Sequence, residues 1–173
     1  GYLAELWREI KQTGKPAMAN YRHYAPSDAP AFFVGAPVHD DGGKLIAVCV
    51  AQLDTRKMNA VMQDTAVLGE TGETLVGMQD AGDALFINAL RHDSDAAFKR
   101  RARLGSDTAL TLQQAVQGLQ GSGLSVDYRS KKVLAVWDVL PSRDWGIVCK
   151  IDADEAFAAT RKLGRMVVLV CAA

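Results

Sequence analysis

Two predicted hairpins of this chain end in the same way, with a strand, an aspartate and the start of a helix. This repeat constrains the fold more than any other feature. Residues 47–53 form a valine-containing strand pattern that reaches Asp54 and opens into a helix, and residues 146–151 do the same at Asp152. Each is preceded by a strand pattern with a proline near its end. The repetition predicts two related modules in tandem. A strand followed by an aspartate cap is also a common junction, so chance repetition is the alternative.

A glycine-rich segment, residues 68–77, lies between the two halves. It lacks the lysine of a GxxxxGK[ST] phosphate loop, and Glu70 and Glu73 would repel a phosphate. We therefore interpret it as the module boundary. Gly69, Gly72 and Gly77 would permit a tight helix-to-strand connection there, and the two glutamates would keep the turn solvated.

The hydrophobic patterns on both sides of this segment predict an α+β fold. Before it, we expect an amphipathic helix that ends near Gly14, a hairpin of residues 32–38 and 45–53, and a short helix to about Met62. After it, we expect antiparallel strands at residues 74–78, 85–90, 124–128, 133–140 and 145–151, a helix near 110–119, and a long exit helix from Glu155 that Asp152 caps.

Composition excludes several classes of function. The 173 residues carry equal numbers of basic and acidic side chains, so nothing favours binding to nucleic acid. The three cysteines lack CxxC spacing, and we expect Cys49 and Cys149 to be buried, unreactive thiols. The three histidines have no metal-ligand spacing, and no catalytic constellation is evident, so we expect no metal, no cofactor and no enzymatic activity in this region.

The chain ends in an uncharged apolar run, residues 166–173, that follows Arg161, Lys162 and Arg165. A membrane-spanning helix needs about 20 apolar residues. We interpret the run as the first turns of a truncated transmembrane helix with an interfacial collar of basic residues. A short buried helix end is the alternative.

Seven sequence blocks are distributed over nearly the whole chain. They are Tyr-Ala-Pro-Ser at 24–27, Phe-Val-Gly-Ala-Pro-Val at 33–38, Leu-Gly-Glu-Thr-Gly-Glu-Thr-Leu-Val-Gly at 68–77, Leu-Phe-Ile-Asn-Ala-Leu-Arg-His at 85–92, Val-Asp-Tyr-Arg at 126–129, Val-Leu-Ala-Val-Trp at 133–137 and Lys-Ile-Asp-Ala-Asp-Glu-Ala-Phe at 150–157. These blocks resemble the double Cache sensor domains of bacterial transmembrane receptors.

The resemblance implies a PAS-like fold in two lobes. Residues 1–67 would be the C-terminal part of a membrane-distal lobe, residues 68–157 a membrane-proximal lobe, and residues 158–173 the exit helix and the start of the transmembrane helix. It also implies a periplasmic location at the inner membrane and a cytoplasmic output such as a histidine kinase of a two-component system, a diguanylate cyclase or a chemoreceptor signalling domain. We further expect a small-molecule ligand and a homodimer.

In the family the ligand most often binds the distal lobe, where amino-acid-binding members place an aspartate near the end of the last strand. The matching position here is Gln52, which disfavours an α-amino-acid ligand. Tyr21 and Tyr24 would line such a pocket. Their alternative role, beside Pro26 and Pro30, is to staple a loop.

Three further candidates lie in the second half. Arg91 and His92 can bind a carboxylate-type ligand, because the arginine fork matches a carboxylate, or they can shape the proximal pocket. A surface or hydrogen-bonded histidine is the alternative for His92. Tyr128 would lie on a strand and face a polar cavity.

The leading hypothesis is therefore an extracytoplasmic sensor that passes ligand-dependent movement to its exit helix. The alternative is a non-binding spacer or dimerisation module between a distal sensor and the membrane. A proximal core filled by Phe86, Trp137 and Trp145 would favour the spacer, and a polar cavity that reaches Arg91 and Tyr128 would favour the sensor.

Overall fold

A computed structural model describes residues 1–19, 21–53, 56–140, 144–158 and 160–162, with the backbone alone at residues 2 and 56–59. The chain divides into two compact units, Gly1–Asn59 and Ala60–Ala173. The domain assignment made from the sequence, with its boundary at residue 68, stays a prediction.

The first unit contains one helix and a small antiparallel sheet. Its elements are α1 (Tyr2–Thr13), β1 (Ala17–Met18), β2 (Arg22–Tyr24), β3 (Ala29–His39) and β4 (Leu45–Leu53), with a short 3-10 helix at Ala25–Ser27. The long strand β3 pairs with the other three strands. The predicted helix and hairpin are confirmed, and the register between β3 and β4 shifts between Val38 and His39, one residue after Pro37.

Helix α1 packs its apolar stripe against this sheet. Leu6 and Ile10 are one turn apart on that stripe, and they pack with Phe33 of β3 in a small core. Gly14 ends the helix in the left-handed conformation, with φ of 65°. Strand β4 contributes little to the core, because none of its nine residues is buried.

The second unit is a six-stranded antiparallel sheet covered by a helix. Helix α2 (Arg56–Gln63) precedes it, followed by β5 (Glu73–Asp80), β6 (Asp83–Phe86), β7 (Arg101–Arg103), α3 (Leu110–Val116), β8 (Gly121–Val126), β9 (Lys132–Leu140), β10 (Trp145–Asp152) and α4 (Ala153–Ala156). The strand order is β7-β6-β5-β10-β9-β8. The first and last long strands of the unit, β5 and β10, are thus neighbours at the centre of the sheet. The α+β fold with antiparallel sheets is confirmed.

Helix α3 lies across one face of this sheet and closes the core. Leu112 and Ala115 of α3 pack with Leu75, Phe86 and Val148 of the strands. We call this side of the sheet the inner face. Gly118, with φ of 82°, follows the helix.

Three local predictions in this unit were wrong. The strand expected at 85–90 ends at Phe86, because the side chain of Asn88 takes over the pairing with β5: its Oδ1 accepts the Val76 N–H (2.8 Å) and its Nδ2 donates to the Thr74 carbonyl (2.9 Å). Tyr128 lies in the turn between β8 and β9 and not on a strand. Asp152 stands at the N-cap of α4 without a capping hydrogen bond, because Arg129 binds its carboxylate.

The opposite face of the sheet, which we call the outer face, is exposed and largely apolar on β8 and β9, whereas Val76 and Met78 of β5 are buried on that same side. Leu124, Leu134 and Val136 are exposed on neighbouring strands, and Cys149 lies beside Val136. Cys149 and Cys49 are both exposed, so the expectation of buried thiols was wrong. Both occupy solvent-facing positions of apolar strands, where sequence periodicity alone cannot distinguish an inner from an outer face.

No helix within the described residues is long and apolar enough to cross a membrane. The apolar run at 166–173, which we interpreted as the start of a transmembrane helix, lies outside the described residues. Helical backbone continues beyond α4 to Lys162, apart from the turn at Phe157 and the undescribed residue 159. We call residues 153–162 the exit helix.

Candidate functional site

The second unit contains a pocket of about 240 Å³ beside the first strand of its sheet. Its walls come from the end of α2, the start of β5 and the irregular segment that follows β6. The lining residues are Met62, Gln63, Thr65, Glu73, Thr74, Ala89, Leu90, Arg91 and Ser94. The pocket therefore combines an apolar lining with a few polar groups, which is typical of small-molecule sites.

Arg91 and Glu73 are the charged residues of this pocket, and they contact each other. The backbone N–H of Arg91 donates to Glu73 Oε2 at 2.9 Å, and the Arg91 guanidinium donates to the carbonyl of Glu70. The Arg91 side chain is exposed, whereas Glu73 is only 2% exposed. The pocket thus contains an arginine with an accessible side chain, whose backbone N–H binds a buried carboxylate.

Behind Glu73 lies a buried charge cluster on the inner face of the sheet. Lys150 of β10 is opposite Glu73 of β5, and its Nζ lies 2.8 Å from Glu73 Oε1 and 2.7 Å from Asp127 Oδ2. The Tyr128 hydroxyl donates to Glu73 Oε1 at 2.8 Å. Each buried charge therefore has an opposite charge or a hydrogen bond, which its desolvation requires.

The turn between β8 and β9 supplies Asp127 and adds a further arginine. Asp127 Oδ1 accepts the backbone N–H groups of Arg129 (2.7 Å) and Lys131 (3.0 Å), while Oδ2 accepts Arg129 Nε (2.7 Å). Burial raises the pKa of Asp127, but the hydrogen bonds from Lys150, Lys131 and Arg129 outweigh it and hold the pKa below its usual value. Asp127 is therefore a stable anion that organises this turn.

Tyr128 is held neutral within this cluster. Burial is the largest cause that raises its pKa, and the adjacent charge of Glu73 raises it further. The Lys150 ammonium lies 5.2 Å from the Tyr128 ring centroid, and the Arg100 guanidinium lies 5.0 Å from it. These cation–π contacts and the hydrogen bond to Glu73 engage Tyr128 inside the protein, and the residue is not part of the pocket lining.

The glycine-rich segment makes long-range contacts that were not expected from its sequence. The carboxylate of Glu155 in α4 accepts the backbone N–H of Glu70 and that of Thr71, both at 2.8 Å, and it also accepts the Thr71 hydroxyl. Thr71 Oγ1 in turn accepts the N–H of Asp152 at 3.0 Å. The segment therefore binds the beginning of the exit helix.

The structure distributes the predicted site residues over both units. In the first unit, Gln52 is exposed and pairs across the strands with Phe33, and the Tyr24 ring contacts Phe33 edge-on at 5.0 Å. Tyr21 is buried and contacts Phe32, whose side chain points to the other face of β3. The two tyrosines are therefore associated with opposite faces of one strand.

In the second unit, Arg91 lines the pocket, whereas His92 is an exposed turn residue that is not part of the pocket lining. Glu73, which we expected to be solvated, is instead buried in the ion cluster. Lys150 and Asp127 were also missed as functional candidates. The burial of Lys150 could have been predicted from the alternation of the strand, which places Lys150 on the same face as the core residue Val148.

The polar groups of the pocket are suited to binding an anion. Within the described parts of the chain, no group of three or more histidine, cysteine, aspartate or glutamate side chains can hold a metal ion. The carboxylates of Glu73 and Asp127 are engaged with cations and amides. An accessible arginine over a partly apolar pocket can bind the carboxylate or phosphate of a small molecule.

Sequence comparison alone does not place this chain, since no family model and no curated protein matches it. Fold comparison does find similar solved structures. The extracellular domain of mmHK1S-Z3, a candidate histidine kinase, aligns with a TM-score of 0.63 at 16% identity over 90% of this chain and 56% of its own length.

Two further solved domains, a chemoreceptor sensory domain and a ligand-binding domain, align comparably well. The periplasmic sensory domain of Campylobacter jejuni Tlp1 has a TM-score of 0.60 at 13% identity, over 88% of this chain and 56% of that domain. The ligand-binding domain of Mlp24, solved with asparagine, has a TM-score of 0.59 at 15% identity, over 87% and 56%.

The chain spans about half the length of these solved domains. All three are named as extracellular, periplasmic or ligand-binding domains and none as a catalytic domain. The chain therefore shares the fold of these sensor domains, which agrees, at the level of the fold, with the resemblance drawn from the sequence.

Proposed function

We propose that this chain is the extracytoplasmic small-molecule-sensing region of a bacterial transmembrane signalling receptor. The observation that carries the proposal is the pocket at Arg91 within a sensor-type fold. The region would lie on the periplasmic side of the inner membrane, with the exit helix continuing into the membrane and a cytoplasmic output domain beyond it.

Arg91 defines the class of ligand that we expect. Its exposed guanidinium is the cation of the pocket lining, and its fork favours a carboxylate or a phosphate. A volume of about 240 Å³ suits a small organic acid. Similar solved domains bind asparagine and glutamine, so amino acids belong in the test, although Gln52 in the first unit disfavours them there.

We propose that the remaining predicted residues act in the first unit, from the two faces of β3. Tyr24 and Gln52 lie on either side of Phe33, whereas Tyr21 lies beside Phe32 on the opposite face. Tyr24 and Gln52 would contact a ligand in the membrane-distal lobe, as in the family that the sequence resembles, and Tyr21 would support that lobe from the other face of the strand. His92 would act at the rim of the proximal pocket.

Thermal-shift screening with organic acids, amines, nucleobases, sugars and amino acids is the direct test. A compound that binds at the proximal pocket should raise the melting temperature of the wild-type chain and lose about tenfold or more in affinity with Arg91→Gln. Arg103→Gln is the matched control, because it removes the same charge from an exposed position outside the pocket. A hit that binds both variants equally does not use this pocket.

A second function, that of a non-binding spacer or dimerisation module, is favoured by a different observation. The inner face of the second unit is filled: Phe86 is fully buried, Trp137 packs against the core, and the Tyr128 hydroxyl is bound to Glu73. A screen without any stabilising compound, together with a stable dimer in sedimentation equilibrium, would favour this alternative over the sensor.

A further inference from the structure

Residues 70–71 form a receptor for the carboxylate of Glu155. Two successive backbone N–H groups point at its two oxygens, each at 2.8 Å, as in the anion-binding concavities that consecutive amides make. The contact joins positions 84 and 85 residues apart in the chain. It therefore connects the segment before β5 with the first turn of the exit helix.

The hydroxyl of Thr71 makes this receptor two-sided. It donates to Glu155 Oε2 and accepts the backbone N–H of Asp152, where β10 ends and α4 begins. Gly69 is required at the same place, since its φ is 71° and a Cβ there would lie 2.3 Å from Glu155 Oε1. Gly69 thus provides the backbone conformation, and Thr71 the hydroxyl, with which the segment binds the Glu155 carboxylate.

Arg91 connects this receptor to the pocket. Its side chain lines the pocket, and its guanidinium donates to the carbonyl of Glu70, the residue whose N–H binds Glu155. Its positive charge also favours the ionised form of Glu155 and lowers the pKa of that carboxyl, after the larger effects of the hydrogen bonds from Thr71 and Glu70. A continuous series of contacts therefore runs from the pocket to the exit helix.

We propose that Glu70, Thr71, Arg91 and Glu155 form a clasp by which the state of Arg91 controls how firmly the exit helix is held. An anion in the pocket competes with the Glu70 carbonyl for the guanidinium, and loss of that contact loosens the segment that holds Glu155. The ligand-dependent half of this proposal rests on the proposed sensing function. The mechanical half does not depend on any ligand.

The clasp gives the pocket and the exit helix a reciprocal relation. A ligand shifts an equilibrium only by its differential affinity for the two states. If an anion at Arg91 loosens the helix, then a released helix must favour anion binding by the same factor. The clasp is the two-state element that such coupling requires.

Amide hydrogen exchange, measured by NMR on the whole chain without ligand, tests the contact itself. Glu155→Gln should raise exchange at the Glu70 and Thr71 amides roughly tenfold, because a charge-assisted acceptor is lost. Asp154→Asn is the matched control, since it removes the same charge one residue earlier, where the carboxylate binds Arg161 and not the loop. Thr71→Val should accelerate the Asp152 amide, and Thr71→Ser should restore it.

A double-mutant cycle tests the connection to Arg91, with exchange at the Phe157 and Arg161 amides of the exit helix as the readout. We expect Arg91→Gln to accelerate both amides about threefold or more in the wild-type background and to have little effect in the Glu155→Gln background. Arg103→Gln should change neither. Equal acceleration in both backgrounds, or none in the wild type, overturns the clasp.

The outcomes separate the two proposals. If the double-mutant cycle shows the expected coupling between Arg91 and Glu155 but the screen finds no ligand, the clasp is supported and the sensing function is contradicted. If a ligand binds in a way that depends on Arg91 but the cycle shows no coupling between Arg91 and Glu155, the sensing function is supported and the clasp is contradicted.

Discussion

At the scale of single residues, Lys150 is the centre of the second unit. It is 2% exposed and its ammonium is shared by Glu73 and Asp127. Removing one member of a buried ion cluster leaves the others without compensation, which costs about 3–5 kcal/mol. We expect Lys150→Met to lower the free energy of unfolding by about this amount in urea titration. Lys132→Met, at an exposed position of the neighbouring strand, should change it by less than about 0.5 kcal/mol; equal effects would contradict the buried role.

Asp127 makes the stability of this unit depend on pH in a defined direction. Its pKa is lowered in the folded state, so its contribution is fully present above the unfolded value of about 3.9 and is lost as the pH falls through the folded value. We expect the free energy of unfolding to decrease steeply below about pH 4. Asp127→Asn should be less stable at neutral pH and should flatten this decrease, whereas the exposed Asp138→Asn should retain it.

The burial of Glu73 in this cluster could not be predicted from the sequence. Glu73 follows Gly72 in a segment that has the composition of a turn, so a solvated carboxylate was the natural interpretation. Its burial depends on Lys150, which is 77 positions away in the chain but directly opposite in the sheet. Pairing of that kind is decided by strand register, which local patterns do not encode.

At the scale of elements, the long apolar patterns predicted their strands and helices well. The strands with clear alternation, β9 and β10, and the helix α3 lie where the sequence placed them. Strand β7 was missed because only Ala102 of its three residues faces the core, so its alternation is too short to recognise. Strand β6 ended early because Asn88, a residue without strand propensity, replaces backbone pairing with its side-chain amide.

This role of Asn88 can be tested at the end of β6. Asn88→Ala removes the acceptor of the Val76 N–H and the donor to the Thr74 carbonyl in a buried location. We expect a loss of about 1–3 kcal/mol in the free energy of unfolding, because a buried donor is left without a partner. Gln79→Ala, on the exposed part of β5, is the control and should cost less than about 0.5 kcal/mol. A neutral Asn88→Ala would indicate that water or a shifted backbone satisfies Val76.

At the scale of the whole molecule, the two units should differ in local stability. Within the described residues, strand β4 has no buried side chain and pairs only with β3, whereas β5 and β10 pair on both sides and pack under α3. Local opening is easiest where few apolar contacts and exposed hydrogen bonds hold a strand. In hydrogen exchange with mass spectrometry, we expect peptides from β4 to exchange roughly tenfold or more faster than those from β5 and β10. Exchange of the same peptides in urea supplies the intrinsic rates as the control. Equal protection of β4 and β10 would contradict this expectation and would mean that another surface covers β4 in solution. The oligomeric state, measured on the same sample, would then show whether that surface belongs to a second copy of the chain.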